Sequence, residues 1–177
     1  MLFDPDLALN ILQQDQIVAR PGTPRNIDPT NEEAASMLQF ITGAFLLIHG
    51  FIVSAQSTGG FKPGPGVQNP AWLNFWPTAL GQSWLLSRFG LEKTLSWVSG
   101  LLWLAGGLLL VAAGLSVFGF IIPQSSWRIL AVTGAAISLF MLAIYLHPFF
   151  GVGMLASVII LVALLWAHWP PVSVIGA

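Results

Sequence analysis

Three histidines, His49, His147 and His168, are the residues that could ligate a metal or the magnesium of a chlorophyll in an otherwise apolar chain. An imidazole can also donate a hydrogen bond to a quinone carbonyl, with aromatic planes against the ring. His49 and His147 fall toward the same end of the segments that carry them and His168 toward the other, so only the first two can share a site. Tyr145 and Trp84 lie on that side too, which makes His49, Tyr145, His147 and Trp84 the candidate cofactor-binding set. A haem between the two histidines fits less well. His49 sits about four residues inside its segment and His147 at an end, an offset of about 6 Å at 1.5 Å per residue. The plainer assignment is that His49 bonds a neighbouring helix while His147 and His168 lie in the headgroup region. There is no Walker motif, no GxGxxG before a helix, no HExxH and no serine with an identifiable base, so no catalytic residue and no metal site is assigned.

Those side chains must be positioned by helices in lipid. The 177 residues are 55% hydrophobic and 7% charged, with mean hydropathy +0.79, against about 25% charged in soluble domains. Of 13 charged residues eight lie in the first 33 positions, leaving Lys62, Arg88, Glu92, Lys93 and Arg128 for the rest. Proton pumping or ion conduction through buried carboxylates is therefore not expected. A net charge of −1 gives no basic footprint for nucleic acid. With no cysteine there is no disulfide, thiol chemistry or cysteine-held cluster.

Residues 95–147 are the centre of the chain. Leu95 to Ile122 is apolar throughout and exceeds the roughly 20 residues that span a bilayer. Pro123-Gln124-Ser125-Ser126 breaks the pattern, with serine placed to cap the helix that follows. Gly100, Gly107 and Gly114 recur every seven residues, and Gly43 and Gly50 repeat that spacing earlier, which predicts close packing of the first two spans. The four spans are expected at about 37–55, 95–118, 129–147 and 152–169.

Before the first span, residues 1–35 are predicted to form an extramembrane arm, rich in proline after position 20, that is either a disordered tail or a docking arm lying over a partner subunit. Within it Thr30-Asn31-Glu32-Glu33 fits a capping box. Residues 56–92 form a long loop that opens turn-rich, STGGFKPGPG, and then carries Trp72, Phe75, Trp76, Trp84 and Phe89. One or two short interfacial helices broken at Pro77, with indole N–H groups at headgroup level, are expected there. Arg88 and Glu92 read as an (i, i+4) pair, or with Lys93 as a site for an anionic headgroup or a sulfur oxyanion. Basic residues tie at three on each side, Arg20, Arg25 and Arg128 against Lys62, Arg88 and Lys93, so charge does not orient the chain.

LIHGF at 47–51, GF at 60–61, AWL at 71–73, LAGGLLL at 104–110 and YLHPF at 145–149 together resemble the DoxX/DoxD-like family of small four-helix membrane proteins, over about residues 36–170. The resemblance implies a four-helix bundle with its first loop outside the cytoplasm. It also implies kinship with small subunits of a thiosulfate:quinone oxidoreductase.

The fold expected is thus an all-α integral membrane four-helix bundle with an extended N-terminal arm and a long amphipathic first loop. The function expected first is a non-catalytic subunit of a larger redox, respiratory or photosynthetic complex, in a bacterial inner membrane. It would contact lipids and other integral subunits through residues 1–35 and the glycine-lined helix faces, with a quinone, a (bacterio)chlorophyll or a carotenoid at an interface. The alternative is a quinone-interacting oxidoreductase subunit, and a carrier of lipid or small apolar solutes is the third reading.

Overall fold

A computed structural model describes residues 29–175. The chain divides into two compact units, Met1–Glu32 and Glu33–Ala177. Of the first, only Pro29–Glu32 is described, and the expected arm over 1–28 lies outside the described residues.

Helix α1 runs Pro29–Ala55. It starts at the proline, whose missing N–H costs nothing in a first turn. A helix starting here is what the Thr30–Glu33 pattern predicts, and the backbone at Thr30 already lies inside it. The segment expected to be turn-rich continues as a short helix, α2, Ser57–Phe61. Beyond the loop come α3 (Trp84–Arg88), α4 (Ser96–Val117), α5 (Trp127–Ile144) and α6 (Gly151–Leu161), the last prolonged by a π-helical turn over Val162–Trp166, and then a short α7 (Val172–Ile175). Among the described residues four helices are long and apolar enough to cross a membrane: Glu32–Phe61, Ser96–Val117, Gln124–Ile144 and Pro148–Trp166. The protein is an all-α four-helix membrane bundle.

Each boundary has a local cause. The second span ends at Val117, short of Ile122, because Gly119 and Ile121 adopt left-handed φ of 70° and 64°. The third starts early, through a 3-10 turn at Gln124–Ser126, and Ser126 offers no side-chain cap. It stops at Ile144, three residues before the expected end. The residue ahead of Pro148 is pushed out of the helical region, and His147 is extended at φ −149°.

The first two spans meet over glycine, as the spacing predicted. A Cβ on Gly50 would come within 2.8 Å of the Gly107 carbonyl, and one on Gly60 within 2.7 Å of the Gly100 Cα. Between them and the chain's other end, a Cβ on Gly114 would sit 2.9 Å from the Gly43 carbonyl. These faces, expected to receive partner subunits, are occupied within the chain. On the other side of α4, Trp103, Leu110 and Val117 are buried at the same seven-residue interval, and Gly134 of α5 packs against the Gly106 carbonyl. Helix α4 is therefore the central element, clasped on two sides.

The loop is docked onto the end of α5. A helix leaves its last carbonyls without intrahelical donors, and here the loop supplies them. Trp84 Nε1 donates to the Ala143 carbonyl (2.7 Å), Ser83 Oγ to that of Ile144 (2.9 Å) and Trp76 Nε1 to that of Leu146 (3.4 Å). Two of the indoles expected to face lipid headgroups thus bond backbone carbonyls instead, Trp84 in the last turn of α5 and Trp76 just past its end. The two short elements flank Pro77 as expected: a 3-10 turn at Ala71–Leu73 and α3, capped by Ser83 Oγ accepting from Leu86 N–H. Glu92 lies beyond α3. It accepts from Ser83 N–H and the Ser87 hydroxyl, and it forms no ion pair with Arg88.

Candidate functional site

Where α1 faces α6 the packing is incomplete. A cavity of about 470 Å³ opens between them, walled by Phe45, His49 and Ile52 of α1, Trp103 of α4, Leu142 of α5, and Phe150, Gly153 and Ala156 of the α6 side. Leu80 of the loop and Gln56 at the end of α1 close it toward the loop. The cavity exists because the α6 wall is made of small residues, Gly153 and Ala156, one turn apart. Ile48, Ile52 and Val152 on its rim are exposed, at 62%, 55% and 81%, so the mouth faces the lipid. The volume is within the few hundred Å³ of ordinary small-molecule sites.

His49 is the polar group of this wall. It is 6% exposed, and its Nε2 lies 3.1 Å from the hydroxyl of Ser157, itself fully buried. Phe45, one turn earlier, stacks parallel to the imidazole at 6.1 Å between centroids. Ser157 thus fixes the ring from one side and Phe45 from another, leaving Nδ1 for a ligand. Where the serine donates, Nδ1 keeps its proton and is a hydrogen-bond donor.

His147 does not share this site. Its Nδ1 accepts from Phe149 N–H (3.3 Å), which requires that nitrogen to be unprotonated, so Nε2 carries the proton and donates to Asn69 Oδ1 (3.0 Å). The Asn69 amide in turn donates to the Thr78 carbonyl (2.9 Å), which fixes its orientation. Burial holds the His147 imidazole below its ordinary pKa. Both ring nitrogens are in use, and the residue is a latch between loop and helices. A ligand bound jointly by His49 and His147, haem included, is not formed by this arrangement. The neighbours Phe149 and Phe150 do line the cavity.

Tyr145 is buried behind the wall, edge-on to Trp103 at 5.8 Å, and supports the cavity without lining it. Trp84 is on the α5 cap, away from the cavity wall. His168 lies exposed at the opposite end, with φ 49°, its carbonyl accepting from Arg128. Among the described residues no group of three histidine or acidic side chains is placed to hold a metal.

Ser157, Gln56, Phe45 and Trp103 were missed as site residues. Phe45, His49, Ile52 and Gln56 lie one turn apart along one face of the helix, so reading outward from His49 at helical spacing would have found two of the four, Phe45 and Gln56. Ser157, 108 positions away, carries no such signal.

Compared with known proteins, the chain matches no family model, no curated protein and no solved structure.

Proposed function

We propose that the protein binds a lipophilic ring compound with a hydrogen-bonding carbonyl, of the quinone class, in the cavity between α1 and α6. The observation that carries this is His49, held by Ser157 in an apolar aromatic cavity whose mouth opens to lipid. A quinone reaches such a site from the bilayer, places its ring between Phe45, Trp103 and Phe150, and accepts a hydrogen bond from the imidazole. The DoxX/DoxD-like resemblance supports the same class. On this reading the protein is a ligand-binding, non-catalytic subunit of a redox or respiratory complex in a bacterial inner membrane, with the redox partner on another chain.

Trp103 in the cavity wall supplies the test, because a quinone against an indole quenches its fluorescence. Purified protein titrated with a decyl-tailed benzoquinone should show saturable quenching. His49→Ala, which removes one hydrogen bond of about 1 kcal/mol, should weaken it about fivefold. Equal, non-saturating quenching in both proteins would refute the reading. A co-purifying spectrum of chlorophyll or carotenoid would give the site to a pigment of a photosynthetic complex instead.

A further inference from the structure

A second, smaller cavity of about 130 Å³ lies on the same helix pair, nearer the chain ends. Leu38, Leu46, Ile160, Ala163 and Trp169 are among its walls, and Thr42 supplies its single hydroxyl. Phe45 lines both cavities. It stands between them and is 41% exposed. From Gln56 at one end to Leu38 at the other is 18 residues of helix, about 27 Å at 1.5 Å per residue, close to the roughly 30 Å of a bilayer core.

Resting on the quinone reading, we infer that the two cavities are one ligand groove: the ring lies at His49 and an isoprenoid or acyl tail passes Phe45 into the slot between Leu46 and Ala163. The chemistry changes along the groove in the matching sense. The loop-side end has the imidazole and the Gln56 amide, while the far end has hydrocarbon and indole walls, so head and tail have distinct places. From His49 to Leu38 is about 16 Å along the helix, which sets the length of tail the slot can cover. Phe45 stacks on the histidine and touches the tail path, which makes it the residue that senses whether a tail is present. The ligand class is thereby narrowed to long-tailed membrane quinones, as opposed to free ring compounds.

The test uses one benzoquinone head with two tails, methyl and a three-unit isoprenoid, on full-length protein with Trp103 quenching as readout. Ala163→Phe fills the slot from within, and Ile159→Phe narrows it from the lipid side should the first variant fold poorly. Each should weaken the long-tailed ligand about tenfold, since apolar area is lost from contact, and leave the methyl compound unchanged. Comparing variant with wild type for the same ligand cancels partition into detergent. Methyl-compound binding with a long-tailed affinity that neither variant alters would overturn the groove and leave the His49 site standing. If neither compound quenches the wild-type protein saturably, the quinone reading itself fails, and the groove with it.

Discussion

His147 donates to Asn69 across 3.0 Å and 78 residues, and this bond joins the middle of the long loop to the corner between α5 and α6. Because Nδ1 must accept from Phe149 N–H, the latch works only with a neutral ring. Burial lowers the folded pKa below the ordinary 6.5, so the unfolded chain binds a proton more readily. The stabilisation is complete above the ordinary value and is lost as the pH falls through the lowered one. Thermal unfolding in detergent should therefore occur at lower temperature below about pH 6.5, and His147→Gln should flatten that dependence. An unfolding temperature that rises on acidification would contradict the tautomer.

Two helical glycines, one inside the seam and one beside it, make a contrast. Gly107→Ala drives a methyl group into Ser54 and the Gly50 carbonyl, and should cost about 1–3 kcal/mol as an overpacked contact. Gly59, by comparison, has open space where its Cβ would be. In that helical turn Gly59→Ala should be neutral or stabilising by up to ~1 kcal/mol. Melting curves of the two variants test this directly, and equal destabilisation would mean the seam is not as tight as described.

Ser83 performs two tasks with one fully buried hydroxyl, accepting from Leu86 N–H and donating to the Ile144 carbonyl. Ser83→Ala removes a helix cap and leaves a carbonyl unpaired, together about 2 kcal/mol. Trp84→Phe removes only the bond to Ala143, about 1 kcal/mol. Limited proteolysis of the loop should rank them in that order.

In the cavity, Ser157→Ala keeps the imidazole but frees its Nε2. Quinone affinity should fall by less than in His49→Ala, about two- to threefold, as orientation is lost while the donor remains. A Ser157→Ala protein that binds no worse than wild type would remove the serine from the site.

The parts of this fold that follow a period could be read from the sequence. Glycines at 43 and 50 and at 100, 107 and 114 gave the seam between the first two spans because one helical face repeats at about seven residues. His49 was singled out as a polar group in an apolar run, and it does line the cavity. What could not be read was set by pairs distant in the chain. The role of His147 depends on Asn69, and those of Trp84 and Trp76 on carbonyls in the last turn of α5 and just past its end, about 60 to 70 residues on. An aromatic loop looks interfacial by composition whether its indoles face headgroups or a helix end. Arg88 and Glu92 had the right separation for an ion pair, but Gly90, at φ 67°, turns the chain between them.

The bundle is not equally firm all round. Helices α1 and α2 are together locked to α4 by backbone contacts at three successive heights, whereas α1 meets α6 across a void bridged by the His49–Ser157 bond. The burial follows suit: 44% of the second span's apolar window is buried and only 17% of the fourth's. The open side of the bundle is therefore the α1–α6 face, and a ligand of the proposed groove has its way in from the leaflet, through the mouth rimmed by Ile48, Ile52 and Val152, rather than past the docked loop.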